Sequence, residues 1–181
     1  MAKKKRRVPR PPRQEFERKF LAIVPELPQP LPEPVHLLQG YLHEGEPYDR
    51  IRIRDGREAV LEYKASGNYE SNKMPMDLAD ALYLLRCHRV GACVEKLRRE
   101  IPAPYKGLIF ELDECLGANR GLWIIELEHP SDFRLDRGRL PSFVGKDVTG
   151  DPRFKMRNLA KRPFKKWPRA EREKVLAQMG L

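Results

Sequence analysis

Glu15, Glu17 and Lys19 alternate with Phe16, Arg18 and Phe20 in the run Q-E-F-E-R-K-F from Gln14 to Phe20. In an extended strand successive side chains point to opposite faces, so the two carboxylates and the ammonium share one side. Like charges held that close repel each other. Hard oxygen ligands flanked by a lysine suit a divalent cation that carries a phosphate. A solvated face of mixed charge gives the same pattern, and the run alone does not choose between the two.

Other alternating runs repeat the theme. Asp49 to Arg54 puts Arg52 and Arg54 on one face against Ile51 and Ile53, and Glu58 to Lys64 puts Glu62 and Lys64 against Leu61 and Tyr63. Cys93 to Ile101 aligns Lys96 with Arg98, Leu108 to Glu114 aligns Glu111 with Asp113, and Leu122 to Glu128 aligns Glu126 with Glu128. Counting Glu15/Glu17, five of these six pairs are same-sign, whereas a solvent face intersperses signs. The alternative to a wet outer face is a sheet that closes on itself with these residues inside. Burying so many charges in a dry interior costs too much, so such a lumen must be wet and filled with ions. Acidic strands would then hold divalent metal and basic strands phosphate, with apolar side chains outside under covering helices.

The elements that must position these residues follow from the punctuation. Asp55-Gly56-Arg57 marks a tight hairpin between the Arg52 and Glu62 strands. Five prolines between Pro25 and Pro34 make a rigid connector, after which Leu37 to Leu42 returns as a strand. From Met76 to His88 apolar residues recur at helical spacing. The runs holding Lys96, Glu111 and Glu126 are joined by hairpin-length Pro/Gly turns and read as an antiparallel meander. Arg153 to Lys161 and Pro168 to Met179 read as short helices.

At 181 residues the chain suits one domain. Its net charge of +10 suggests an anionic partner. Residues 1–13, basic and proline-rich with nothing to bury, read as a disordered arm. They carry most of that excess, which weakens the inference from charge to nucleic acid but leaves it possible through the arm. Cys87, Cys93 and Cys115 have no C-x-x-C spacing, so neither a disulfide framework nor a zinc site is expected, and a reducing cytoplasm fits. No run is long and apolar enough for a bilayer span, so no membrane partner is expected.

Taken in order, these motifs resemble the CYTH family, the triphosphate tunnel metalloenzymes. Glu15-x-Glu17-x-Lys19 is similar to its E-x-E-x-K, and Gln39-Gly40-Tyr41-Leu42 to its Q-G-Y-L. Arg52-x-Arg54 and the strand ending at Lys64 follow, although Glu62 stands where a neutral residue is commoner. Lys96-x-Arg98, Glu111-x-Asp113 and Glu126-x-Glu128 come next. Phe143 to Ala160 resembles the closing G-K-E-V-T-G-D-x-R-Y segment, with Asp147 for Glu and Phe154 for Tyr. The chain departs from the pattern at 68–75, where an R-x-E-x-E strand is replaced by a stretch in which Glu70 alone is acidic.

The resemblance implies an α+β fold over residues 14–162, an eight-stranded antiparallel β-barrel, or tunnel, flanked by helices, with 163–181 as a helical extension. It implies hydrolysis of inorganic triphosphate to pyrophosphate and phosphate, with Mg²⁺ or Mn²⁺ held by Glu15, Glu17, Asp113, Glu126 and Glu128. Glu15, Glu17, Lys19, Glu126 and Glu128 would form the catalytic set. Lys19, Arg52, Arg54, Lys64, Lys96 and Arg98 would clamp phosphate, with Lys146 and Arg153 closing the site. Class IV adenylate cyclase and thiamine-triphosphatase activities share the fold and stay open, as do a non-catalytic polyphosphate or nucleotide binder and a nucleic-acid module. A monomer and a homodimer are equally compatible.

Overall fold

The computed structural model describes residues 14, 16–64, 71–130 and 133–181. Its order is β1 (Phe16–Ala22), β2 (Val35–Tyr41), β3 (Tyr48–Arg54), β4 (Glu58–Lys64), β5 (Asn72–Met76), α1 (Leu78–Cys87), β6 (Val90–Pro102), β7 (Ile109–Cys115), β8 (Trp123–His129), β9 (Val144–Asp147), α2 (Met156–Lys161) and α3 (Arg169–Gln178). One antiparallel sheet runs β5-β4-β3-β2-β6-β7-β8-β1-β9. The hairpin forms where expected, with Asp55 and Gly56 both at positive φ (49° and 63°), and β6, β7 and β8 form the meander. None of the described helices is long and apolar enough to cross a membrane.

The expected eight-stranded closed barrel is corrected to a nine-stranded sheet with two edges, since among the described residues β5 and β9 do not pair with each other. Chemistry at the ends explains this. Pro75 within β5 has no N–H to donate to a further ladder, which suits an edge strand. At the other end β9 has four residues and meets β1 with a shift of register.

Alternation sends apolar residues to both faces, but in different places. On the convex face Phe20, Phe110, Leu112, Ile125 and Leu127 pack under Leu27 and Phe143. Further along, Ile51, Ile53 and Ala59 pack under Ala81 and Leu85 of α1. The Asp77 side chain caps that helix by accepting from Ala79 N at 2.8 Å. On the concave face one half is apolar: Leu21, Val94, Cys115 and Ile124 meet Phe154, Leu159, Phe164, Trp167, Val175 and Met179 from the C-terminal segment. The other half of the concave face is lined mainly by charged side chains.

Candidate functional site

Strand register fixes what faces that polar half. Glu17 lies opposite Glu128 and Lys19 opposite Glu126 across β1 and β8, while Glu126 lies opposite Glu111 on β7. Arg98 lies opposite Asp113, Arg50 opposite Glu62, and Glu62 opposite Lys73. Except for Asp113 and Glu62, which lie behind the wall, these residues line a cavity of about 760 Å³ bounded by β1 to β8 and the start of α2. The walls differ in sign. Carboxylates gather on β1, β7 and β8, whereas Arg50, Arg52, Lys64 and Lys73 occupy β3 to β5 and Lys155 and Arg157 lie beside them.

On the acidic side the charges are neutralised in a network. The Lys19 ammonium donates to Glu126 and pairs with Glu17. Burial disfavours its charge, but Glu126 and Glu17 outweigh that and hold its pKa above the usual lysine value. Arg98 donates to Asp113 Oδ1 and Oδ2 and to Glu126 Oε2, each at 2.6 Å, and to Glu111. Lys96 donates to Asp113, and both side chains are completely buried. Burial and the neighbouring Arg98 push Lys96 below its usual value. Burial works against ionised Glu126, yet Lys19, Lys96 and Arg98 win and hold its pKa well below the carboxylate range. Glu111 goes the other way, burial raising it to about 7 against the pull of Arg98.

The segment after β9 fixes Lys19 from its backbone. Val148 N donates to Lys19 O at 2.8 Å, and Lys19 N donates to Thr149 Oγ1 at 2.9 Å. Thr149 is held by Asp147, whose carboxylate also pairs with Arg18. Thus the Asp147-Val148-Thr149 stretch orients the first strand's lysine.

Of the residues expected from sequence, Glu17, Lys19, Arg52, Lys64, Lys96, Arg98, Glu126 and Glu128 all line this cavity. Glu15 lies outside the described residues, as do the arm at 1–13 and Glu70. Asp113 sits beneath the wall, engaged with Lys96 and Arg98. Arg54 is at the hairpin end of β3, its side chain 57% exposed and 3.7 Å from Asp55. Lys146 is exposed, and Arg153 turns away to Asp151 and Glu171 while lying 5.1 Å over the Trp167 ring. Those three do not line the cavity.

Sequence reasoning missed Arg50, Lys73, Lys155 and Arg157 on the cavity wall. Arg50 shares the parity of Arg52 and was readable from the same run. Lys73 depends on β5, which its proline hides, and Lys155 and Arg157 depend on how the C-terminal segment docks.

The resemblance implies a divalent cation, and the donor chemistry fits one. Glu111 and Glu126, directly opposite each other, are already bridged by Arg98, whereas Glu17 and Glu128 are a like-charged pair directly opposite each other, an arrangement that a cation between them would relieve. Carboxylate oxygens suit Mg²⁺ or Mn²⁺. Among the described residues no three His, Cys, Asp or Glu side chains converge into a ready ligand cage, so the fit rests on donor type and strand pairing. A hydrogen-bond vacancy on the basic side points the same way for an anion: Arg52 Nε is buried without a partner.

An antiparallel sheet with carboxylates on one wall of its cavity and guanidinium forks on the other suits a multiply charged anion. No family model matches the chain. An inorganic triphosphatase of Acetivibrio thermocellus is 31% identical over 157 residues, covering 83% of this chain and 96% of that protein. An inorganic triphosphatase of Nitrosomonas europaea is 32% identical over 150 residues, covering 81% and 96%. The crystal structure of the inorganic triphosphatase NE1496 superposes with a TM-score of 0.59 at 29% identity, covering 81% of this chain and 93% of that one. The chain belongs to the family of these inorganic triphosphatases.

Proposed function

We propose that the protein is a metal-dependent triphosphatase of the CYTH type, hydrolysing inorganic triphosphate to pyrophosphate and phosphate in this cavity. The observation that carries the reading is the convergence of Glu17, Lys19, Arg52, Lys96, Arg98, Glu126 and Glu128, from separate strands, on one volume. The names of the relatives support the substrate.

Arg52 and Arg98 present planar forks that match phosphate oxygens two at a time, while Lys19, Lys64 and Lys96 act as point charges. Asp113 keeps Lys96 and Arg98 in place from below. Glu17, Glu126 and Glu128, with Glu15, would hold Mg²⁺ or Mn²⁺, which supplies charge neutralisation and a more acidic attacking water. Holding the phosphate chain against fixed cations spreads the charge that develops on the leaving pyrophosphate, so positioning and electrostatics carry the reaction and no side-chain nucleophile is required.

The test is phosphate release from tripolyphosphate with Mg²⁺, Mn²⁺ or EDTA, with ATP and thiamine triphosphate as competing substrates. Turnover is expected with metal only, fastest on tripolyphosphate, and Glu128→Gln lowers kcat on the order of 100-fold while the protein still unfolds cooperatively. Release that is indifferent to metal, or a Glu128→Gln variant as fast as wild type, contradicts the reading.

A further inference from the structure

Pockets of about 760 Å³ hold drug-sized ligands, so volume alone does not restrict this cavity to a bare phosphate chain. Its charged walls give an organic group little to pack on, and aromatic rings line it at two places. Phe16 and His129 stack on each other at 6.0 Å, and Tyr41 meets Tyr48 edge to face at 5.5 Å. At the second place a clasp covers a ring face. The Arg157 guanidinium lies 5.6 Å over the Tyr48 ring, its Nη1 donates to Gly45 O at 3.0 Å, and its Nη2 lies 2.8 Å from Glu46. Lys161, one turn further along α2, pairs with Glu44 at 2.8 Å. Glu46 and Arg157 line the cavity, whereas Glu44 and Lys161 do not. Among the described residues every hydrogen bond or ion pair from the loop 42–47 to anything beyond its own hairpin runs to α2. Met156, Leu159 and Ala160 anchor α2 in the apolar core, so the clasp fixes the loop and not the helix.

We propose that this clasp sets substrate selectivity: Arg157, held by Glu46 and Gly45, occupies the ring face of Tyr48 and so reserves the cavity for phosphate chains that carry no organic group. The proposal rests on the triphosphatase reading and deepens it. Glu44 and Lys161 are positioning residues that act through the loop. The physical argument is one of substitution. A guanidinium and a planar base gain comparable energy on an aromatic face, so one displaces the other and nothing is added. Displacement also breaks the Glu46 pair and leaves that carboxylate beside an incoming polyanion, an unfavourable approach of like charges. An unsubstituted phosphate chain demands neither. The paired side chains are partly exposed, from 24% for Arg157 to 68% for Glu44, so each pair contributes modestly and the selectivity amounts to several-fold factors that salt reduces.

The experiment compares tripolyphosphate with ATP on the full chain, by calorimetric titration in EDTA and by kcat/KM with Mg²⁺. Lys161→Ala and Glu44→Ala are each expected to leave tripolyphosphate affinity within about twofold and to raise that of ATP relative to it by about threefold. Glu44→Lys combined with Lys161→Glu is expected to return the ratio to the wild-type value. Arg157→Ala is expected to raise the ratio roughly tenfold, since the ring face is then bare. A merely structural clasp would lower thermal stability and leave the ratio alone. Ratios unchanged in both Lys161→Ala and Arg157→Ala, or ATP binding too weak to register in any variant, overturn the proposal. If Arg157→Ala fails to fold, the exposed Glu44 and Lys161 variants decide. Normal tripolyphosphate turnover with unchanged ratios sinks the proposal and leaves the triphosphatase standing; shifted affinity ratios without phosphate release from either compound do the reverse.

Discussion

Lys96 and Asp113 show at the residue scale why this site is a network of couples. Neither side chain meets solvent, so each is tolerable only because of the other, with Arg98 a second counter-charge for Asp113. Asp113→Asn should cost about 3 kcal/mol in urea denaturation, since it leaves a buried ammonium short of a counter-charge. A loss under about 0.5 kcal/mol, the level of a neutral surface change, would contradict the pairing. Glu111 gives a prediction of opposite sign from its neighbours. Its pKa rises from 4.5 to about 7 on folding, so its contribution is present below 4.5 and is lost as pH rises through 7. Glu111→Gln lacks that loss, and its stability relative to wild type should climb between pH 4.5 and 7 by at most about 3 kcal/mol, then level off. A difference that stays flat with pH would contradict it. Parity in the sequence was enough to place Lys19, Arg52, Lys96, Arg98, Glu126 and Glu128 on a common face. It could not tell that Asp113 ends beneath the wall or that Arg153 swings to Glu171, because depth along a strand and the docking of a loop are set by tertiary contacts.

Among the elements, the alternating strands were readable because apolar and charged residues each kept to one parity. β5 was not, since a five-residue strand containing Pro75 gives no ladder signal, and β9, four residues long, has too few positions to alternate. The seven strands read from the runs therefore lack one at each end of the nine-stranded sheet. The helices were legible from periodicity, but the role of α2 and α3 was not: their apolar residues fill the concave face beside Leu21 and Ile124. Docking of α2 depends on Gly91 at the start of β6, where φ is +75° and an added Cβ would stand 2.6 Å from Ala160 O. Gly91→Ala should therefore destabilise by about 3 kcal/mol, combining left-handed strain with overpacking against backbone. Gly150→Ala, where nothing lies within 4 Å, serves as control and should change stability by less than about 0.5 kcal/mol. Equal effects of the two substitutions in chemical denaturation would remove Gly91 from this role.

For the whole molecule, the net +10 is a poor guide to function. Much of it resides in residues 1–13, while the cations that matter are folded onto one concave wall and faced by carboxylates. The proposed function rests on that separation of sign within a single cavity, which the strands and the start of α2 bound. The most direct measurement is a crystal structure of the full chain with tripolyphosphate and Mn²⁺, read with anomalous scattering. The account predicts a manganese peak beside Glu17 and Glu128 with the phosphate chain reaching Arg52 and Arg98. Manganese and phosphate lying instead on the outer basic surface around Lys165 and Lys166, with the cavity carboxylates still bound only to their own lysine and arginine, would contradict it.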